Sequence, residues 1–196
     1  MIMKRWNIFY VLIIALTMIF VSACDEDKGK DEDILNGETR TSFDVKQGTI
    51  HYNNNTVLVF DDYGKKLRLE SYSENGNVPT EIVIEDGTTS YSLSPVQKVA
   101  VSTGIMNLSA SFLFYDGKYS GFQHLGLSKT EKTIAGKSCT TYTWTVENVH
   151  YEYSGWKGIV IAAKGGDDVF TATSISEVAP AAGSFSVPDD YRIITY

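Results

Sequence analysis

Covalent or metal chemistry in this chain would have to come from two cysteines, three histidines and three pairs of adjacent aspartates. A nucleophilic Cys139 needs a neighbouring base to generate its thiolate. His51, His124 and His150 stand far from it in sequence, and no cysteine-enzyme signature surrounds it. It reads as a small apolar residue on a strand. The histidines form neither H-E-x-x-H nor H-x-x-E-H, nor a pair two or four residues apart, so no zinc site is spelled out. Asp61-Asp62, Asp167-Asp168 and Asp189-Asp190 lack the spacing of a calcium loop and read as solvated turn residues. Gly165-Gly166 has no Lys-Ser/Thr after it to hold a phosphate, and Ser120-Gly121 and Ser154-Gly155 lack the G-x-S-x-G elbow. The expectation is a non-enzymatic chain with no metal and no diffusible cofactor.

The other cysteine sits in a different setting. Lys4 and Arg5 precede an apolar run from Ile8 to Phe20, too short to span a bilayer as a helix and of signal-peptide size. The run ends in Val21-Ser22-Ala23-Cys24, which resembles the lipobox of bacterial lipoproteins: an aliphatic residue, two small residues, then cysteine. The resemblance implies cleavage before Cys24, a diacylglyceryl group on its thiol and a further acyl chain, such as palmitate, on its amine. It implies a place in the cell envelope, on the periplasmic or surface face of the outer membrane. Two or more acyl chains hold a protein on a membrane, whereas one does so only marginally. The other reading is an ordinary secretory signal in which cysteine happens to follow Ala23.

Loss of residues 1–23 removes two cations and leaves 15 against 24 acids, a net charge of −9. Such a chain is not suited to tracking nucleic-acid phosphates. Residues 24–39 hold seven of the acids and two lysines. This stretch repels itself and has little to bury, so residues 24–44 are expected to be an extended tether. Acids directly after the cysteine also resemble the export signal of surface-displayed lipoproteins; a plain solvated spacer fits equally.

From residue 45 to 196 the pattern is that of strands. Gly48–Tyr52, Thr56–Phe60, Lys65–Tyr72, Thr80–Glu85 and Thr88–Leu93 are short β-prone runs, clearly alternating in Lys65–Tyr72, broken by Asn53-Asn54-Asn55, Asp62-Tyr63-Gly64, Asn75-Gly76 and Asp86-Gly87. Residues 95–126 are ambiguous. Val96, Val99 and Ala100 could start a helix, Leu108, Phe112 and Tyr115 have helical spacing, and Asp116-Gly117 could instead turn a hairpin between 112–115 and 119–122. A short helix within 95–115 is the expectation. Strands resume at Lys137–Val146, Val149–Trp156, Lys157–Ala163 and Val169–Val178. Tyr142, Trp144 and Val146 share one face; Cys139, Thr141 and Thr143 share the other.

Four segments in order carry a resemblance. They are Glu85-Asp86-Gly87-Thr88-Thr89-Ser90-Tyr91-Ser92-Leu93-Ser94-Pro95, Ile134 to Trp144, Trp156 to Ile161, and Phe185-Ser186-Val187-Pro188-Asp189-Asp190-Tyr191. Together they resemble the lipoprotein-carrier superfamily, the LolA/LolB-like proteins. The resemblance implies a mainly β fold: a strongly curved antiparallel sheet forming a half-open barrel, with one or two short helices on its concave side. It also implies a hydrophobic cavity for a lipid or a lipoprotein acyl chain, although fold alone does not decide function. A permanent anchor would suit a membrane-bound receptor better than a soluble shuttle.

Twelve tyrosines, nine phenylalanines and three tryptophans either fill such a sheet's core or line its pocket. The expected lining comprises Leu67, Leu69, Ile82, Ile84, Tyr91, Tyr142 and Trp144. Two binding roles follow: a tethered protein that takes a hydrophobic small molecule or acyl chain, and a surface module for glycan or protein.

Overall fold

The computed structural model describes residues 40–195, apart from Asn75 and Asp167. Cys24, the leader and most of the expected tether lie outside the described residues. Within the span read as tether, Phe43 is buried against Phe60 in an edge-to-face contact, so packing reaches at least to Phe43.

One twelve-stranded sheet organises the chain. Its strands are β1 (Gly48–Tyr52), β2 (Thr56–Asp61), β3 (Lys66–Tyr72), β4 (Pro79–Glu85), β5 (Ser90–Ser94), β6 (Val99–Gly104), β7 (Ser128–Ile134), β8 (Lys137–Val146), β9 (Val149–Trp156), β10 (Ile159–Gly165), β11 (Asp168–Ser176) and β12 (Arg192–Ile194). Their order across the sheet is β12-β6-β5-β4-β3-β2-β1-β11-β10-β9-β8-β7. Two antiparallel meanders, β1–β6 and β7–β11, are therefore stitched by the β1/β11 pair. The sheet is curved, is not closed into a barrel, and carries two short helices, as the sequence implied. Register shifts opposite Thr173 in β11 and between Val160 and Ala162 in β10 insert extra residues, which bends the strands locally.

Several expectations change. Val99 and Ala100 lie in β6 rather than at a helix start: Leu93 pairs with Ala100 and Ser94 with Val99. The 112–115/119–122 hairpin does not form. Asp116 instead opens helix α2 (Asp116–Tyr119), which follows α1 (Leu108–Phe112) and leads into a 3-10 turn at Ser120–Leu125. β12 runs parallel to β6, an exception in a sheet otherwise antiparallel. β7 has no counterpart among the expected strands, because Ser128 to Thr133 are exposed and show no apolar alternation.

Burial follows the pleat. The largest cluster joins Phe43, Ile50, Leu58, Phe60, Leu67, Leu108, Leu113, Cys139, Trp156, Ile159 and Ile161. A second, aromatic cluster occupies the opposite face of β8 and β9, where Tyr142 pairs with Tyr153 and Trp144 with Tyr151. A third lies on β4–β6, where Ile82, Ile84, Leu93 and Ala100 are covered by Phe185, Val187 and Tyr191. At roughly 25 cal/mol per Å² of apolar area, each fully buried large side chain stabilises by about 1.5–3 kcal/mol.

Candidate functional site

The seven residues expected to line a ligand cavity do not converge. Leu67 is buried in the main cluster and Leu69 packs against it. Ile82 and Ile84 belong to the third cluster, with Tyr91 packed beside them. The register explains the separation: Leu67 pairs with Glu85 and Leu69 with Val83, so Ile82 and Ile84 point to the other face. Tyr142 and Trp144 lie together in the aromatic cluster. The chain's own rings cover them. Phe122 stacks on Trp144 at 4.5 Å, and Tyr119 stacks on Tyr142 at 5.0 Å.

An open polar groove lies beside this aromatic cluster. It encloses about 860 Å³ and is lined by Arg40, Asp44, Tyr115, Asp116, Thr140 and Lys157, over a floor that includes Phe114, Gly155 and Gly158. The floor requires its glycines. A Cβ at Gly155 would stand 2.0 Å from the Phe114 ring, and one at Gly158, where φ is +76°, 2.4 Å from the Arg40 guanidinium.

The walls are fixed by short polar contacts. Arg40 pairs with Asp44, and the Asp44 backbone N–H donates to the Lys157 carbonyl. Asp116 accepts from the Tyr142 hydroxyl at 2.6 Å and from Lys129 Nζ at 3.0 Å. Burial works against ionising Asp116, but these two donors prevail and hold its carboxyl below the usual range. Burial and the same hydrogen bond push the Tyr142 phenol well above its ordinary value. Lys157 and Lys137 flank the Trp156 ring at 5.1 and 5.0 Å, and both donate to Glu177, whose carboxyl is thereby lowered.

Other chemistry-bearing residues stand apart. Cys139 is fully buried, donates to the Lys137 carbonyl, and has its thiol raised by burial. That is the opposite of what thiolate chemistry requires. Among the described residues, no three His, Cys, Asp or Glu side chains converge as metal ligands. None of their helices is long and apolar enough to cross a membrane.

No family model and no curated protein matches this chain. Among solved structures it is similar to an uncharacterised conserved protein from Thermus thermophilus. The TM-score is 0.47 and the identity 8%, over 76% of this chain and 89% of that one. It is also similar to MucB in complex with MucA(peri), with TM-score 0.39 and 14% identity over 76% of this chain and 56% of that one.

Sequence reasoning missed Arg40 and Asp44 because they fall in the span read as tether. The available signal was Phe43 and Val45, alternating within Thr41-Ser42-Phe43-Asp44-Val45. Asp116 stood out only as a turn residue.

Proposed function

We propose that this chain is a non-enzymatic, membrane-tethered binding module of the cell envelope, and that the polar groove holds a glycan. The groove's lining carries the reading. Arg40 and Lys157 donate, Asp44 and Asp116 accept, and Thr140 can do either. The groove carries both signs of charge, with Arg40 paired to Asp44, Asp116 to Lys129 and Lys157 to Glu177, which favours a neutral hydroxyl-rich ligand over one of fixed charge. Tyr115, half-buried against the main cluster, also lines the groove, and an aromatic side chain at such a place suits packing on a sugar ring. The acyl-chain reading has less support, because Leu67, Ile82, Ile84, Tyr142 and Trp144 are packed inside the protein. The anchor belongs to the same proposal and rests on the lipobox resemblance at Cys24.

The test is a glycan array probed with the full chain, followed by titration calorimetry on any hit. Asp116→Asn and Tyr115→Ala should each weaken binding by roughly ten-fold, the range of one lost charged hydrogen bond or stacking contact. Silence on the array, together with acyl lipids co-purifying in native mass spectra, would reverse the order of the two readings.

A further inference from the structure

The groove wall carries a carboxylate with spare acceptors. Asp116 opens α2 and is held from two strands: Tyr142 of β8 donates to its Oδ1 at 2.6 Å, and Lys129 of β7 donates to its Oδ2 at 3.0 Å. One donor on each oxygen sets the orientation of the carboxylate. An ionised carboxylate offers about four lone-pair sites, so each oxygen keeps one for a further donor. The Asp116 side chain is 43% exposed and lines the groove, so a ligand there can reach both oxygens. Tyr142 and Lys129 stand outside that lining.

Arg40 is the charged neighbour of Asp116 in the same groove, and its charge helps to hold the Asp116 carboxyl down. The guanidinium lies over Gly158 and pairs with Asp44 through Nη1, one of the five N–H donors of its fork. Paired acceptors and a donor fork therefore share one space. A hydroxyl is the group that uses both, because it donates its proton and accepts on its oxygen. Two adjacent hydroxyls can give their protons to the two oxygens of one carboxylate in parallel, as a guanidinium does. An ammonium ligand would meet Arg40 and Lys129 beside Asp116, and a carboxylate ligand would meet Asp116 and Asp44 beside Arg40, so either faces like charge.

Resting on the reading that the groove holds a glycan, we propose that it recognises a vicinal diol: Asp116 accepts both hydroxyl protons, and Arg40 donates to the same pair of oxygens. Tyr142 and Lys129 are positioning residues that aim the carboxylate without touching the sugar. The diol then decides specificity. A sugar in which either adjacent hydroxyl is missing leaves a charged group unpaired and is rejected, however well its ring packs on Tyr115.

The full chain, in detergent micelles, is to be titrated by ligand-observed NMR with the methyl glycosides of mannose, galactose and glucose. Each is set beside its analogues lacking the 2-, 3- or 4-hydroxyl. At least one parent should bind, and removing either member of one adjacent pair should weaken it by about ten-fold, the loss of one hydrogen bond to a charged group. Tyr142→Phe keeps the ring and removes the donor to Oδ1. It should weaken the parent by roughly three- to ten-fold and leave the deoxy analogues little changed. Tyr142, Lys129 and Arg40 are the groups that face Asp116 and favour its ionised form. Binding needs that form and is lost as pH falls through its titration, so Tyr142→Phe should move the loss to higher pH. Tyr119→Phe is the control: its hydroxyl is buried with no partner among the described residues, and affinity and pH midpoint should both stay native. Parents and deoxy analogues binding within two-fold of each other would overturn the diol and leave the glycan reading standing. So would glycosides that fail to bind while array glycans do, or a Tyr142→Phe chain with native affinity and midpoint. Failure of both glycosides and array glycans would remove the glycan reading and the diol with it.

Discussion

Gly155→Ala is the sharpest available probe of how the groove floor and the aromatic cluster depend on each other. The added Cβ would lie 2.0 Å from Cδ1 and Cγ of Phe114 and 2.6 Å from Cδ2. Ordinary contact begins at 3.4 Å, so the ring must retreat by about 1.4 Å (3.4 less 2.0). It has nowhere obvious to go, since it stands 5.6 Å from the Tyr142 ring and 5.2 Å from the Tyr119 ring. Overpacking of this kind costs about 1–3 kcal/mol, and loosening the two ring pairs adds roughly 0.5–1.5 kcal/mol each. A loss near 3 kcal/mol is expected, equivalent to a fall in Tm of about 6–12 °C for a domain of roughly 150 residues. Urea unfolding followed by tryptophan fluorescence measures it, with Trp144 inside the affected cluster. Phe114→Ala in the same background removes the clash, so the double variant should be little less stable than Phe114→Ala alone, with a coupling of about 2 kcal/mol. Gly121→Ala, where a Cβ would meet nothing within 4 Å, is the control and should change stability by less than ~0.5 kcal/mol. A Gly155→Ala chain as stable as wild type would refute the close ring-to-backbone packing.

Burial lowers the Lys118 ammonium to about 8, and Nζ donates to the Leu113 carbonyl. Its unfolded form binds more protons between pH 8 and 10.5, so stability should rise with pH across that window; Lys118→Met should abolish the rise and gain about 1–3 kcal/mol at pH 7. Burial, then the Glu70 carboxylate, push the Tyr72 phenol up to about 12. The folded state therefore keeps its proton after the unfolded state has lost it, and stability should fall between pH 10 and 12 less steeply in Tyr72→Phe. Ser90 links the Met106 N–H to the buried Glu85 carboxylate, which also accepts from the Leu108 N–H. Ser90→Ala should cost about 1–3 kcal/mol and speed hydrogen exchange at both amides, and unchanged exchange would count against the latch.

Strand existence was legible wherever one face is buried. Lys66-Leu67-Arg68-Leu69 alternates because Leu67 and Leu69 face the main cluster while Arg68 and Glu70 pair on the other face, and Asn75-Gly76 is the turn signal after it. β6 resists such reading because Val96, Val99 and Ala100 satisfy helical spacing, and only pairing with β5 resolves it. β7 and β12 carry no signal of their own, being an exposed edge and a three-residue addition. The shared face of Tyr142 and Trp144 was readable from period two. That Leu67 and Ile84 point apart was not, because it depends on inter-strand register. The groove was harder still: its walls come from residues 40–44, 115–116 and 157–158, which only the tertiary fold brings together.

The seam between the two meanders has a temporal consequence. Thr49 pairs with Ser176 and Tyr52 with Ala172, and the Tyr52 hydroxyl donates to the Val160 carbonyl. The first strand thus waits for nearly the last before either half can finish its interior. Contacts this distant along the polypeptide slow folding toward the millisecond-to-second range. A nascent chain stopped short of Asp168 should therefore stay open to proteases and chaperones, becoming resistant only when its final strands arrive.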